Sequence, residues 1–235
     1  MTKITERGMI FNAEMVRALL SGRKTQTRRI MKPQPEPCPR GGHWWPSNVF
    51  KTMLHVEDEM QNGKGGWGGL VGDACPFGAV GDRIWVRETW GVVSHAFSDD
   101  GLMIDWVPDR PATAIHEMPF GNGYYSGYAI YAADGDYTWG DDDGYEDGRS
   151  CWKPSIHMPR AASRILLEIT DVRVERLRSM SQDDARAEGV IAASGPMEAG
   201  LAFRELWDSI YGEESWKANP WVWVIKFKRI EELTA

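Results

Sequence analysis

With 42% hydrophobic and 26% charged residues, the 235-residue chain has the composition of a globular protein, which excludes an intrinsically disordered chain. Its formal net charge is −7, no run approaches the roughly 18 apolar residues of a membrane helix, and its first residues lack the apolar stretch of a signal peptide. Its three cysteines are widely separated and do not suggest a secreted disulfide framework, so we expect reduced thiols, a cytoplasmic location and no membrane partner.

The first predicted elements are a short helix and an extended segment within residues 8–31. Asn12 is a suitable N-cap, because its side chain can accept a hydrogen bond from a free backbone N–H. Gly22 can adopt the left-handed conformation that ends a helix. Between these two residues, apolar side chains recur at helical spacing at Met15, Leu19 and Leu20. Lys24–Ile30 follows as a short extended segment.

A loop-rich insertion precedes the next predicted core element. Residues 32–80 contain closely spaced prolines followed by glycines, so this segment is expected to be irregular. Gly81-Asp82 then predicts a turn into a strand over 83–90, with Ile84 and Val86 on one face.

A second insertion and a regular last third complete the chain. Residues 91–159 are rich in glycine and aspartate and are expected to be irregular, apart from one strand at Tyr124–Tyr131. Thereafter the pattern predicts a strand at Ser163–Val174 and a helix at Gln182–Glu188 capped by Ser181. A second helix ends at Gly212 and has one apolar face, formed by Phe203, Leu206, Trp207 and Ile210. A strand is predicted at Trp221–Ile230.

These elements predict an α+β fold in which strands dominate. Regular βαβ alternation is missing from the pattern, which favours a small mixed β-barrel with flanking helices over a doubly wound sheet. We therefore expect a single domain over 1–235 with two long irregular insertions, at 32–80 and 91–159. Its core consists of 8–31, 81–90 and 160–235.

Charge is unevenly distributed along the chain. Seven acids and no base lie between Asp134 and Asp147. Seven bases and one acid lie between Arg17 and Arg40. The basic stretch is either a contact surface for phosphates or an ordinary solvated surface. The acidic stretch is either a soluble loop or a mimic of nucleic acid.

Four segments resemble ASCH-domain proteins, which belong to the PUA-like superfamily associated with RNA. GRKTQTRR at 22–29 is similar to the opening motif of the family. GDRIWV at 81–86, SQDDARAEG at 181–189 and the strand at 221–227 resemble its later landmarks, in the same order. Longer segments such as MIFNAEMVRALLSGRKTQTRRI resemble ASCH-domain proteins of phages and prophages. The resemblance implies a PUA-like barrel that handles a nucleotide or nucleic acid inside a bacterial host cell.

The resemblance also implies catalytic residues. Small bacterial relatives are amidohydrolases that remove the acetyl group of N4-acetylcytidine with a lysine, a threonine and a glutamate. Carried over by motif, these residues are Lys24, Thr27 and Glu188. Neighbouring cations are then expected to bind the substrate or its phosphate, namely Arg23, Arg28, Arg29 and Arg87.

Amide hydrolysis needs a nucleophile, a group that takes its proton and a group that returns a proton to the leaving amine. Thr27 could supply the nucleophilic hydroxyl, and Lys24 could take its proton only if burial or the neighbouring arginines lowered the lysine pKa well below its ordinary value of about 10.4. Glu188 close to Lys24 would raise the pKa of the lysine, so we expect a charged Lys24 that holds the carbonyl oxygen or phosphate and a Glu188 that shuttles the proton. Lys24 and Thr27 are three residues apart and would face opposite sides of a regular strand. A shared site therefore requires Lys24 to precede the strand or a bulge to redirect it.

Other residues offer weaker hypotheses. Zinc ligands of suitable type occur at Cys38, His43, Cys75 and Cys151, with His55 or His157, but no CxxC pair is present and we expect no cofactor. Arg87 and Glu88 either line the mouth of the barrel or form a structural ion pair. Tryptophans in the insertions are candidates for base stacking or partner contact, namely Trp44, Trp45, Trp67, Trp139 and Trp152.

Three classes of function remain open. The first is an enzyme, an amidohydrolase acting on an acylated cytidine or related modified nucleoside, with ribonuclease as the second choice. The second is a non-catalytic module that binds RNA or modified DNA. The third is a phage accessory protein that binds a host protein through its acidic loop.

Overall fold

The chain folds as an α+β protein. The computed structural model describes residues 4–62, 70–139, 150–191 and 198–230. The strands in these ranges are β1 (Glu6–Ile10), β2 (Gln26–Ile30), β3 (Glu36–Pro37), β4 (His43–Ser47), β5 (Thr52–His55), β6 (Arg83–Arg87), β7 (Trp90–Val93), β8 (His95–Phe97), β9 (Met103–Asp105), β10 (Thr113–Phe120), β11 (Gly123–Tyr131), β12 (Leu166–Arg176) and β13 (Trp221–Ile230). The α-helices are α1 (Ala13–Leu20), α2 (Val71–Ala74), α3 (Gln182–Ala187), α4 (Glu198–Tyr211) and α5 (Glu213–Ala218).

Four sheets organise these strands. The largest has the order β1-β6-β12-β13-β2, and the others have the orders β10-β11-β7, β3-β4-β5 and β8-β9. Strands β2 and β13 are antiparallel, with Arg28 opposite Val224 and Thr27 opposite Ile225. The predicted α+β class is confirmed. In the described ranges the five-stranded order runs from β1 at one edge to β2 at the other.

The elements predicted from caps and periodicity are confirmed at the start of the chain. Asn12 Oδ1 accepts a hydrogen bond of 2.8 Å from the backbone N–H of Met15, which caps α1 as expected. Gly22 has a φ of 74°, the left-handed conformation that only glycine adopts readily. In β6, Ile84 and Val86 are fully buried on one face.

The last third also follows its pattern. β13 has the predicted bounds, and β12 begins three residues later than predicted. Ser181 caps α3 in a capping box, in which its side chain accepts from the Asp184 backbone and the Asp184 carboxylate accepts from the Ser181 backbone. Glu188 is the C-cap of this helix, so the helix ends one residue earlier than the predicted range.

The expectation of two irregular insertions is wrong. Residues 32–80 contain the sheet β3-β4-β5, in which Pro46 lies opposite Met53. In residues 91–159, β11 confirms the strand predicted at Tyr124–Tyr131, but it belongs to a β10-β11 hairpin whose Gly121 has a φ of 61° in the turn. Proline and glycine often indicate loops, but here they occupy strand positions and tight hairpin turns between short strands.

The chain divides into two compact units, where we expected one domain. The first unit contains the described residues of 1–7, 18–84 and 167–230, and the second those of 8–17 and 85–166. Each has its own apolar cluster, formed in the first unit by Leu177, Ala185, Ala199, Phe203, Trp207, Val222 and Val224, and in the second by Trp90, Ile115, Met118, Ala129, Tyr131, Met158 and Ala162. None of the helices in the described ranges is long and apolar enough to cross a membrane.

Candidate functional site

Lys24 and Glu188 meet in the first unit, although 164 residues separate them in the sequence. The backbone brings them together, because Lys24 N–H donates to Ala18 O at 3.0 Å and Thr25 N–H donates to Ala187 O at 2.8 Å. Lys24 Nζ donates to Glu188 Oε2 at 3.0 Å and to the Glu188 backbone oxygen at 2.9 Å. The turn after α1 therefore lies against the C-terminal end of α3.

Gly189 permits this close approach. Its φ is 90°, and a Cβ atom at this position would lie 2.7 Å from the Cβ of Ala18 and 2.9 Å from the Cβ of Lys24. A side chain at 189 would therefore push apart the two segments that carry the lysine and the glutamate. The glycine that ends α3 also positions its neighbour Glu188.

Arg28 completes a buried group of charges that we call the charge cluster. Its Nη1 donates to Glu188 Oε1 at 2.9 Å and its Nη2 donates to Glu175 Oε1 at 2.6 Å. The side chains of Lys24 and Arg28 are 0% exposed and that of Glu188 is 2% exposed. At its more exposed side, Arg173 contacts Glu175 at 3.1 Å and Asp184 at 2.7 Å. The cluster thus contains three cationic and three anionic side chains, namely Lys24, Arg28, Arg173, Glu175, Asp184 and Glu188.

Burial shapes the protonation of the cluster. The expectation that Glu188 raises the pKa of Lys24 above its ordinary value is wrong: burial lowers this pKa, and the Glu188 carboxylate offsets only part of the shift. Partial burial opposes ionisation of Asp184, but the Ser181 hydrogen bond and the guanidinium groups of Arg173 and Arg28 outweigh it and lower the pKa of Asp184 to about 2. Asp184 is therefore ionised at neutral pH.

Asp184 makes the fold sensitive to acid. Because its pKa is lower in the folded chain than in the unfolded one, its stabilisation is complete above about pH 4 and disappears as the pH falls towards 2. We expect Asp184→Asn to remove about 1 kcal/mol of this pH-dependent stability, a figure reduced for solvent screening. Urea unfolding between pH 5 and pH 2.5 measures it. Asp183→Asn is the control, since the Asp183 side chain is 93% exposed and its loss should leave the pH dependence unchanged.

Thr27 lies on the opposite face of β2 from the charge cluster. Lys24 precedes the strand and joins Glu188 through an isolated bridge, so the alternation of the strand does not apply to it. Gln26 donates to the Asp184 backbone oxygen at 3.0 Å, on the same face of β2 as Arg28. Alternation therefore directs the buried Thr27 side chain away from the face on which Arg28 contacts Glu188. The structure thus brings Lys24 and Glu188 together, whereas Thr27 lies on the opposite face of β2.

The cluster face of β2 carries two further buried polar atoms, one on Arg28 and one on Gln26, which was not singled out from the sequence. Gln26 Oε1 and Arg28 Nε have no hydrogen-bond partner within the described part of the chain. The first is an acceptor and the second a donor. Strand alternation from Arg28 is the signal that identifies Gln26, because residues two apart share a face.

The four arginines expected to bind phosphate lie in different environments. Arg28 is enclosed by carboxylates, whereas Arg23 is exposed and donates to Gly189 O at 2.9 Å, next to Glu188. Arg29 is half-buried. Arg87 belongs to the second unit, where it donates to the Ile156 backbone oxygen and stacks on Trp85 at 5.3 Å. Arg23 is therefore the exposed cation beside the Lys24–Glu188 contact.

In the second unit, Glu88 has Arg164 as its ion-pair partner, which corrects the proposed Arg87–Glu88 pair. Arg164 donates to both oxygens of Glu88 at 3.0 Å and to Asp134 at 2.6 Å, and its guanidinium lies 3.9 Å from the centre of the Tyr131 ring. Burial raises the pKa of Glu88, while Arg164 opposes the shift. Arg87, the last residue of β6, instead donates to the Ile156 backbone oxygen and lies over the Trp85 ring.

The residues proposed as zinc ligands do not form a site in the described ranges. No group of three or more His, Cys, Asp or Glu side chains there is arranged to hold a metal ion. His43 Nδ1 lies 2.6 Å from Glu57, and His43 Nε2 lies 3.1 Å from Arg176. Burial raises the pKa of Cys75 to about 12, which disfavours the thiolate that a metal requires.

The insertion tryptophans divide into core and surface residues. Trp45 is buried and contacts Trp223 edge-on at 5.4 Å, and Trp44 contacts His55 at 5.2 Å. Trp139 and Trp152 are partly exposed in the second unit. Trp67 and the acidic residues 141–147 lie outside the described residues.

Comparisons of the chain with protein-family models, with curated proteins and with solved structures find no match.

Proposed function

We propose that the chain is an ASCH-domain protein of the phage and prophage type, in which the five-stranded sheet is the counterpart of a PUA-like barrel. The observation that carries the proposal is the buried contact of 3.0 Å between Lys24 and Glu188. The resemblance pairs these two residues in one active site, and chance rarely brings together two chosen residues so far apart in a sequence. The ligand is a nucleotide or modified nucleoside.

In this proposal the chain recognises the hydrogen-bonding edge of an acylated cytosine. Gln26 Oε1 is an acceptor and Arg28 Nε a donor, neither of which has a partner in the described part of the chain, and this pair suits the mixed donor and acceptor edge of a base. The exposed Arg23, beside Gly189, holds a phosphate of the nucleotide. The three groups therefore divide the recognition of the base and of its phosphate.

The proposed reaction is hydrolysis of the amide of an N4-acylated cytidine. Lys24 holds the carbonyl oxygen, and Glu188 takes a proton from the attacking water as the C–O bond forms. When the C–N bond breaks, Glu188 returns the proton to the leaving amine. Both Glu188 oxygens carry a cation in the structure, so binding of the carbonyl oxygen must first draw Lys24 Nζ away from Oε2. Thr27, on the far face of β2, supports this strand in the proposal and does not act as nucleophile.

Release of acetate from N4-acetylcytidine tests the proposal. We expect turnover by the wild-type chain and a fall in kcat/KM of at least about 100-fold in Lys24→Ala and in Glu188→Gln. The controls are Lys217→Ala, an exposed lysine, and Thr25→Ala, the exposed threonine near the site. Circular dichroism establishes that each variant is folded.

A specific observation favours a second candidate, the non-catalytic RNA or modified-DNA binding module. Both Glu188 oxygens already accept from buried cations, which suits a structural support for a binding surface better than an open active site. Salt-dependent binding of RNA or modified DNA without acetate release, weakened in Arg23→Ala, would select this candidate. A chain that shows neither acetate release nor nucleic-acid binding would contradict both candidate functions.

A further inference from the structure

Five aromatic side chains form a continuous row in the second unit. Trp106 contacts Tyr128 at 5.6 Å and Tyr137 at 6.3 Å, Tyr137 contacts Trp139 at 4.8 Å, and Trp139 contacts Trp152 at 5.3 Å. Each of the five is partly exposed. We call these residues the aromatic row. Rings in the core of the unit, such as Trp90 and Tyr131, are by contrast fully buried.

The row lies on the second face of the sheet β10-β11-β7. Tyr128 is opposite Val93 and Ile130 is opposite Gly91, so these four residues share one face, while the alternate residues belong to the apolar cluster on the other. A Cβ atom on Gly91 would lie 2.4 Å from the Trp139 ring. The glycine therefore lets the indole rest directly on the strand.

The surroundings of the row are acidic. The described residues of 85–139 and 150–166 contain eight acidic and five basic side chains, a difference of −3. Asp105, Asp109 and Asp136 are exposed beside members of the row in the sequence. Asp109 directly precedes Arg110, whose guanidinium lies 5.3 Å from the centre of the Tyr137 ring. After burial, the charge of Asp109 is the next cause that raises the pKa of Tyr137. This field repels phosphates and attracts cations.

The row already holds one guanidinium of the chain itself. Arg110 lies 5.3 Å from the centre of the Tyr137 ring, and it donates to Gly135 O at 3.2 Å and to Asp136 O at 2.6 Å. A planar cation stacked on a ring, with oxygen acceptors at its edge, is the arrangement that favours arginine over lysine. The apolar side chain of Val107, which is 80% exposed, adds contact area next to Trp106.

We propose that the aromatic row and its neighbouring carboxylates form a docking surface for an arginine-rich basic segment of a partner protein. Aromatic rings also stack unpaired bases, but the excess of acids in this part of the chain opposes a polyanion. The proposal rests on the second unit alone and is independent of the nucleoside reaction proposed above.

Titration with two peptides tests the proposal. Octa-arginine and octa-lysine carry the same charge, so electrostatic attraction alone predicts similar affinities for the two. We expect octa-arginine to bind at least about 5-fold more tightly in calorimetry, because only the guanidinium stacks on the rings. Trp106→Leu should abolish that preference, and Asp109→Asn should weaken both peptides. Glu214→Gln, which removes an exposed acid of the first unit, is the matched control and should change neither.

Several outcomes would overturn the docking surface. Equal affinity for the two peptides, or an arginine preference that survives Trp106→Leu, would show general attraction to an acidic protein. Competition by a single-stranded oligonucleotide that Trp106→Leu abolishes would show a base-stacking surface instead. If Trp106→Leu fails to fold, Val107→Ser is the deciding variant. Because the Val107 side chain is exposed, this substitution should leave the fold intact and still lower the affinity for octa-arginine.

Discussion

Glu188→Ala is expected to destabilise the chain by about 3–5 kcal/mol. The substitution removes the carboxylate that neutralises Lys24 and Arg28, whose side chains have no exposed surface in the fold. Arg28 keeps Glu175 and Asp184, but the buried ammonium of Lys24 loses the Glu188 carboxylate and must either stay charged away from water or give up its proton, and both are costly. Urea unfolding monitored by circular dichroism at pH 7 measures the loss. The free energy of unfolding should fall by a large part of the roughly 5–15 kcal/mol that is usual for a domain.

The matched control for this substitution is Glu214→Ala. Glu214 also pairs with a lysine, at 2.7 Å, but the two side chains are 88% and 57% exposed. We expect a change below about 1 kcal/mol, because exposed ion pairs contribute little. The double variant Lys24→Met/Glu188→Ala should recover part of the loss, since it also removes the buried ammonium that donates to Glu188 in the wild type. Equal effects of Glu188→Ala and Glu214→Ala would falsify the view that the charge cluster stabilises the fold as a closed network.

Arg164→Leu is the second substitution with a large expected effect, also about 3–5 kcal/mol. It leaves the buried Glu88 carboxylate and Asp134 without their common cation, and it removes the guanidinium that lies over Tyr131. Burial already raises the pKa of Glu88, and loss of Arg164 raises it further. A carboxyl with a raised pKa becomes neutral as the pH falls, so the destabilisation should be smaller at pH 5 than at pH 7.

Chemical unfolding at the two pH values measures this dependence. Arg186→Leu is the control, because Arg186 is 45% exposed and its partner Asp183 is 93% exposed. It should cost below about 1 kcal/mol at both pH values. An Arg164→Leu variant that is as stable as wild type, or whose loss is the same at pH 5 and pH 7, would show that Glu88 is not an uncompensated charge in the variant.

Local signals in the sequence predict the elements whose determinants are close together. Asn12 and Gly22 delimit α1 and Ser181 caps α3, because a cap needs partners only three or four residues away. The alternating aromatic and β-branched residues of β13 predict its bounds. The meeting of Lys24 with Glu188 follows from the family resemblance, since nothing in the spacing of these two residues indicates a contact.

Long-range pairing of side chains is not predictable in this way. In the sequence Arg28 is one of several cations in a basic segment, yet three carboxylates from distant strands and helices enclose it in the fold. The sequence offers Arg87 as the neighbour of Glu88, whereas its partner Arg164 lies 76 residues away. Local periodicity reports which face of an element is buried and contains no information on which charge meets it there.

The position of β2 in the five-stranded sheet has a consequence for the order of folding. Residues 26–30 hydrogen-bond with residues 222–226, so the early strand acquires its neighbour only when the C-terminal part of the chain has been synthesised. The ammonium and guanidinium groups of its segment also wait for their acids at 175 and 188, which are synthesised before β13 but well over 100 residues after β2. A nascent chain that ends before residue 220 therefore exposes an unpaired strand edge to the ribosome surface and to chaperones, and closure of the sheet is expected to be a late event.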